Sequence, residues 1–385
     1  MPANIQLFLT FLRLGLTSFG GPVAHLGFFR EEFVTRRRWF SEEQYADKVA
    51  LCQLIPGPAS SQVGLLIGYA RAGYLGAMLA WLGFTLPSAV LLGYLGITLS
   101  NPENLIPELL LSLLKAIALA VVLQAVIGMA KSFCNSRLHW VLMLTSAVIL
   151  TLTSTPWMTP LLLVAAGLVT LLGNQESVSL QAKAPKPSIG SVFWLGIFFS
   201  GLVLLPVVST TINPALELIS DFYRAGALVF GGGHVVLPLL ADSTVHAGLV
   251  SPELFISGYG AAQAVPGPLF TFSAFLGGVI DGSVLGATLA TLAIFLPAVA
   301  ILFGVRPIWE AVKIYPAVRL AIAGANAAVV GVLLAALLSM MQQTTASIEL
   351  LGYVAVAFVL IERFKVPAWI LVVAAAIASY GLGSL

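Results

Sequence analysis

The chain has 385 residues, of which 59% are hydrophobic and 9% charged, with a formal net charge of +2 and a mean hydropathy of +1.01. A soluble globular domain carries about 25% charged residues, so this composition excludes a protein that faces water on all sides and makes lipid the main solvent. The small net charge gives no sign of a nucleic-acid partner, and Cys52 and Cys134 offer neither a disulfide framework nor zinc spacing.

The chain opens on "MPANIQLF", which has no basic stretch ahead of its apolar run and so argues against a cleaved signal peptide. The apolar segment 4–28 holds Arg13 and then the cluster Gly20, Gly21 and Pro22, followed by His25. Glycine and proline there predict a helix break within the bilayer. The loop after it carries Arg30, Arg36, Arg37, Arg38 and Lys48, which marks the cytoplasmic side. The stretch 44–72 begins and ends near basic residues, Lys48 and Arg71, with Pro56, Gly57 and Pro58 between them. It is predicted to be a re-entrant hairpin of two short helices.

Further along, the loop 100–109 lacks basic residues and is placed outside. Lys131 and Arg137 mark an inside loop, 153–160 is outside, and 173–188 with Lys183 and Lys186 is a cytoplasmic linker. A connecting span at 191–211 leads to the acidic loop 209–221, placed outside. The segment 215–240 then carries Arg224, Gly231, Gly232, Gly233 and His234, and 255–282 carries Gln263, Pro266, Gly267 and Pro268. Arg306, Lys313 and Arg319 return to the inside, 342–349 lies outside, Glu362–Lys365 inside, and the C-terminus outside. Most of the tryptophans fall near the predicted interfaces.

The second half echoes the first. Arg224 follows Arg13 by 211 positions, Gln263 follows Gln53 by 210, and "LGATLATLAIFLP" at 285 follows "LGAMLAWLGFTLP" at 75 by 210. Three ordered blocks at a nearly constant offset indicate internal duplication. Opposite charge in the loops after the two glycine motifs makes the repeat inverted. The predicted fold class is an all-α polytopic membrane protein with two inverted-topology repeats. Each combines helix-broken or re-entrant segments with full transmembrane helices. Residues 1–173 form the first repeat, 174–212 the cytoplasmic linker and connecting helix, and 213–385 the second repeat. The count is about nine crossings and four re-entrant hairpins. A rival count of thirteen full spans puts Arg36–Arg38 outside.

A broken helix leaves free N–H groups and a positive dipole end that favour an anion, and proline suits the first helical position. Gln53 and Gln263 stand one turn before each PGP and could donate to an oxyanion. Arg13 and Arg224 supply charge and a planar fork for a tetrahedral oxyanion. The predicted substrate-binding set is therefore Arg13, Gly20, Gly21, Gln53, Pro56, Gly57, Pro58, Arg224, Gly231, Gly232, Gly233, Gln263, Pro266, Gly267 and Pro268. Against it stand close packing for the glycines and snorkelling for Arg13. His234, His25 and Asp221 are the coupling candidates. The two histidines do not align, since His25 falls opposite Val236. Asp47, Asp221 and Asp242 otherwise read as interface acids, Asp221 being near enough to Arg224 to pair.

The run "FLRLGLTSFGGPVAHLGFFREEFV", with "RRRWFSEEQYADKVALCQLIPGPASSQVGLLIGY" and, in the second half, "FYRAGALVFGGGHVVLPLL" and "GYGAAQAVPGPLFTFSAFLG", resembles the chromate ion transporter family in its long-chain, two-domain form. The resemblance covers nearly the whole chain and is weakest near 173–190. It implies chromate export at a bacterial inner membrane and competition by sulfate. The residues alone lead to an anion transporter with no metal and no cofactor. Its partners are a chromate- or sulfate-like oxyanion and membrane lipids, and a homodimer is left open. No GxxxxGK[ST] loop appears, so uphill transport is secondary. The alternatives are transport of sulfate or another oxyanion, a passive anion channel, and a membrane enzyme acting on a lipid phosphate. The last lacks a clustered acid or histidine motif, and the chain is not expected to be an enzyme.

Overall fold

A computed structural model describes residues 3–19, 21–100, 107–153, 158–173, 188–211, 215–229, 235–312, 315–343 and 348–382. Among them every regular element is helical. Each of the four motif-bearing segments is broken into short helices. α1 (Ala3–Thr17) and α2 (Gly21–Arg30), which continues as a π-helical turn Glu31–Arg36, flank the first break. α3 (Glu42–Leu54) stops before Pro56, and α4 (Ala59–Leu99) restarts after it. In the second half α9 (Ala215–Leu228) and α10 (Val236–Thr244) flank one break. α11 (Pro252–Ala262), a 3-10 turn Leu269–Thr271 and α12 (Phe272–Asp281) surround the other. The first half is completed by α5 (Glu108–Phe133), α6 (Arg137–Leu152) and α7 (Met158–Gly173). α8 (Ile189–Thr211) connects the halves, and α13 (Val284–Val312), α14 (Pro316–Gln343), α15 (Ile348–Glu362) and α16 (Ala368–Leu382) complete the second.

Local sequence explains the starts and stops. Ser41 and Gln44 form a reciprocal capping box at the start of α3, which satisfies two otherwise orphaned N–H groups. Ser251 caps α11 with Pro252 in its first turn. Within α4 the backbone leaves helical geometry at Ala72 and Gly73, so a short arm is followed by a long one.

Five helices are long and apolar enough to cross a membrane: Ala59–Leu99, Glu108–Phe133, Ile189–Thr210, Val284–Trp309 and Pro316–Gln342. Exposed Val192, Phe193, Val203 and Val207 on α8 and Leu144, Val148 and Leu152 on α6 face what lipid would cover. The protein is thus an all-α, two-repeat, multi-pass membrane protein. α6 and α7, with 16 residues each, and α15 and α16, with 15 each, are at most about 24 Å long.

The duplication is visible in the packing. Gly15 on α1 lies against the backbone carbonyl of Phe84, and its mate Gly226 on α9 lies against that of Ile294, the mate of Phe84. A Cβ on either would collide with that carbonyl. The repeats also run in opposite senses. Gly73 starts the long arm of α4, which ends at Leu99, roughly 39 Å away at 1.5 Å per residue. The mate of that turn, Gly282, sits against Ser100 at the far end.

The halves are interlocked rather than side by side. α14 of the second repeat packs on α6 and α7 of the first, whereas α5 of the first packs on α15 and α16 of the second. α4 meets α12 at the centre, with Gly96 against the Phe275 carbonyl and Gly278 against that of Gly93. One end of the molecule gathers basic and aromatic residues from both repeats. The Trp309 indole N–H donates to Asp47 (3.3 Å), Arg306 donates to the Tyr69 hydroxyl (3.3 Å) and lies over its ring, and Trp39 lies beneath both Arg37 and Arg71.

Candidate functional site at the crossing of the broken segments

The four broken segments meet through two reciprocal hydrogen bonds. The N–H of Gly57, in the first PGP, donates to the carbonyl of Val229, in the second glycine segment (2.7 Å). The N–H of Gly267, in the second PGP, donates to the carbonyl of Ser18, in the first glycine segment (3.0 Å). Val229 is the mate of Ser18, and Gly267 of Gly57, so each repeat's PGP is tied to the other repeat's glycine break. Both glycines have φ in the region L-residues avoid, 121° at Gly57 and 105° at Gly267. Both are also crowded: a Cβ would stand 2.7 Å from that of Ala298 at Gly57 and 2.8 Å from Ser88 Oγ at Gly267. Ala298 and Ser88 are again mates.

His25 closes one side of this crossing. It is 1% exposed. Its Nε2 is 3.2 Å from the Ser18 carbonyl, its Nδ1 is 3.4 Å from Ser60 Oγ, and its ring meets Phe84 edge-on. A carbonyl only accepts, so Nε2 carries the proton and Nδ1 accepts from Ser60. The hydroxyls of Ser18, of Ser61 in the turn after the first PGP, of Thr85 on α4 and of Ser273 on α12 are buried with no hydrogen-bond partner among the described residues. Gln62 ties the first PGP down by donating to the carbonyls of Pro56 (2.8 Å) and Ala298 (3.3 Å).

The predicted site residues divide. Pro56, Gly57, Pro58, Gly267 and Pro268 are buried at the crossing, and Pro266 is half-buried beside it. Gly21 begins α2 with φ 77°, consistent with a glycine-dependent break. Gly20, Gly231, Gly232, Gly233 and His234 lie outside the described residues. Gln263 is half-buried, and its Nε2 has no hydrogen-bond partner among the described residues. Its mate Gln53 is exposed, because the last turn of α3 presents it away from the core.

The arginines also depart from expectation. Neither is an uncompensated charge awaiting an anion. Arg13 is exposed, and its guanidinium donates to the buried carboxylate of Glu32 (2.5 Å), which also takes Arg37 (2.6 Å) and Arg36 (3.3 Å). Burial alone would raise the Glu32 carboxyl, yet Arg37, Arg13 and Arg36 together hold it below the ordinary range. Arg224 pairs with Asp221 at 3.5 Å, as their spacing suggested. Sequence reasoning missed Glu32, Ser18, Ser60, Ser61, Gln62 and Thr85. The one available signal was the change from "PGPASSQ" to "PGPLFTF".

Among the described residues no group of three or more His, Cys, Asp or Glu side chains could hold a metal. What the crossing offers is neutral: buried hydroxyls, a fixed imidazole, and the start of a helix. Inverted repeats whose broken helices cross between them, in a chain with five membrane-length helices, define a multi-pass membrane transporter. The chain belongs to the chromate transporter family, whose model matches residues 5–171 and again residues 216–380. It is 30% identical over 299 residues to a chromate transport protein of Pseudomonas aeruginosa, covering 77% of this chain and 71% of that one. It is 28% identical over 375 residues to a chromate transport protein of Cupriavidus metallidurans, covering 94% and 88%. An uncharacterized transporter of Methanocaldococcus jannaschii is 26% identical over 318 residues, covering 81% and 78%. No solved structure matches the chain.

Proposed function

We propose that the protein exports chromate across a bacterial inner membrane as a secondary transporter, and that the oxyanion passes through the crossing of the two PGP loops with the two glycine breaks. The observation that carries this is the reciprocal pair of hydrogen bonds, Gly57 to Val229 and Gly267 to Ser18. It ties helix breaks of both repeats to each other across the repeat boundary, where alternating access requires the site to lie. The names of the relatives in Pseudomonas and Cupriavidus support chromate as the substrate. Sulfate, with the same charge and tetrahedral shape, is the competitor. The basic face of Arg36, Arg37, Arg71 and Arg306 fits the cytoplasmic side, where it would attract the dianion.

The driving force follows from charge. Moving a dianion out of a negative interior releases about 4.6 kcal/mol per 100 mV. Proton coupling would add to it, and His25 is the coupling candidate placed at the crossing itself. Radiolabelled chromate and sulfate flux in proteoliposomes, with an imposed potential or pH gradient, tests the function. Concentrative, potential-dependent chromate flux is expected. Flux that only equilibrates would make the protein a channel, and none for either anion would overturn the assignment.

A further inference from the structure

The crossing is symmetric in its backbone and one-sided in its chemistry. After the first PGP the chain enters a true α-helix: the N–H of Gln62 bonds the Pro58 carbonyl, so the amides of Ala59, Ser60 and Ser61 have no partner within the helix. Pro58 provides no side-chain cap. Two serines occupy that first turn, and Ser61 Oγ, in a residue 2% exposed, is unpartnered among the described residues. Ser18 Oγ (residue 0% exposed) is likewise unpartnered. Ser18 is tied to that turn through His25, whose ring meets both the Ser18 carbonyl and Ser60 Oγ.

The second repeat is built differently, although one hydroxyl of α12, Ser273 Oγ (residue 0% exposed), is also unpartnered among the described residues. After its PGP the chain makes a 3-10 turn in which the N–H of Thr271 already bonds Pro268. The Thr271 hydroxyl is also spent on the Pro268 carbonyl (2.7 Å). The mates of Ser18, His25, Ser60, Gln62 and Thr85 are Val229, Val236, Phe270, Phe272 and Phe295, all buried. Phenylalanines and valines thus stand at the mates of the first repeat's polar residues.

We propose that the transporter holds a single dehydrated tetrahedral oxyanion, on the first-repeat side only, at the amides of Ala59, Ser60 and Ser61 with the hydroxyls of Ser18 and Ser61, and that the second repeat, with its 3-10 turn and the apolar mates of Ser18 and Ser60 around a lone Ser273 hydroxyl, holds none. This rests on the oxyanion reading above. Neutral donors suit the task. A buried hydroxyl or amide donates to a dianion without a fixed counter-charge, so the site binds without trapping its cargo. A helix first turn with hydroxyls at hand selects for a compact, multiply accepting anion over a halide.

The test compares mates in the purified full chain. Chromate and sulfate binding is measured by equilibrium dialysis, and thermal stability is measured without and with the anion. Wild type should bind one oxyanion per chain. Ser61→Ala and Ser18→Ala should each weaken binding about tenfold, the loss of a hydrogen bond to a charged group. They should leave the anion-free melting temperature unchanged or raised, because the hydroxyl they remove is unpartnered. Ser61→Thr should restore binding. Thr271→Val, at the mate of Ser61, should lower the melting temperature and leave affinity within twofold, and Ser273→Ala, which removes the second repeat's own unpartnered hydroxyl, should also leave affinity within twofold. Two anions per chain, or equal losses from mates in both repeats, overturns the one-sided site. So does unchanged affinity in both first-repeat variants. A loss of binding in Ser61→Ala accompanied by a lower anion-free melting temperature also counts against it, since that marks a structural hydroxyl. If wild type binds neither anion, the function assignment has failed instead, and the two failures are distinguishable.

Discussion

The turn after the first PGP and the turn after the second occupy equivalent places and do different things. One is α-helical and carries two serines, with Ser61 unsatisfied, whereas the other is 3-10 and largely aromatic, with its Thr271 hydroxyl satisfied on the Pro268 carbonyl and Ser273 left unpartnered just beyond it. The skeleton around them has barely moved: both glycines keep positive φ, both cross to the other repeat, and both press on mated residues of the long helices. Backbone geometry tolerates few residue types, so duplication preserves it. Side chains facing the crossing answer to chemistry, and one copy suffices for that. In this molecule the symmetric parts build the frame, and the proposed anion site lies among the asymmetric ones.

The largest expected effect is all-or-none. Cysteines placed at exposed Thr35 and exposed Ala247, each behind the glycine motif of its own repeat, should be labelled by an impermeant reagent from opposite sides of the membrane. Labelling from one side would break the inverted relation on which every mate above depends. Next, Gly57→Ala and Gly267→Ala should each cost about 3 kcal/mol, from forbidden φ plus crowding, read as loss of monodisperse protein or a large fall in melting temperature. Tolerance of one and not the other would show that the frame itself has diverged.

A smaller contrast concerns the ion pairs. Glu32→Gln strands two short contacts to Arg13 and Arg37 and should cost about 1–2 kcal/mol, discounted because Arg13 is half exposed. Asp221→Asn breaks only the 3.5 Å pair with Arg224 and should cost less than about 1 kcal/mol. The pH dependence has a definite sign. The folded Glu32 carboxyl lies below its ordinary 4.5, so its contribution is complete above that value and disappears as pH falls through the depressed one. Wild type should therefore lose more stability between about pH 5 and 3 than Glu32→Gln does. Smallest of all, Ser88→Ala removes a bond to the Thr85 carbonyl in its own helix (3.0 Å) and should cost under about 1 kcal/mol. Ala298→Ser, its mate, adds an oxygen against Gly57 and should cost at least as much.

The frame was legible because glycine, proline and basic loop residues carry strong positional meaning. The offset between Gly57 and Gly267 was enough to pair the breaks, and the arginines of 30–38 were enough to orient them. Partner choice among apolar helices was not legible. Nothing in the composition of α14 says that it packs on α6 and α7 rather than on its own α15 and α16, since both surfaces are small and apolar. Glu32 escaped notice because its pairing with Arg13 depends on how two arms fold across a break. The serines after the first PGP were visible as letters, but a hydroxyl in a membrane helix ordinarily bonds the carbonyl one turn back, as Thr10 does to Gln6. Only the folded packing distinguishes a hydroxyl so spent from one left open.

The exchange of helices between the halves also sets the order of assembly. α5 is synthesised roughly 220 residues before α15 and α16, on which it packs. At about 5–20 residues per second it waits tens of seconds in the bilayer with its final neighbours still unmade. The first half therefore cannot reach its native arrangement as a finished unit while the second is being translated. A chain built this way matures late and all at once, and a truncation near its C-terminus should undo packing begun by its first two hundred residues.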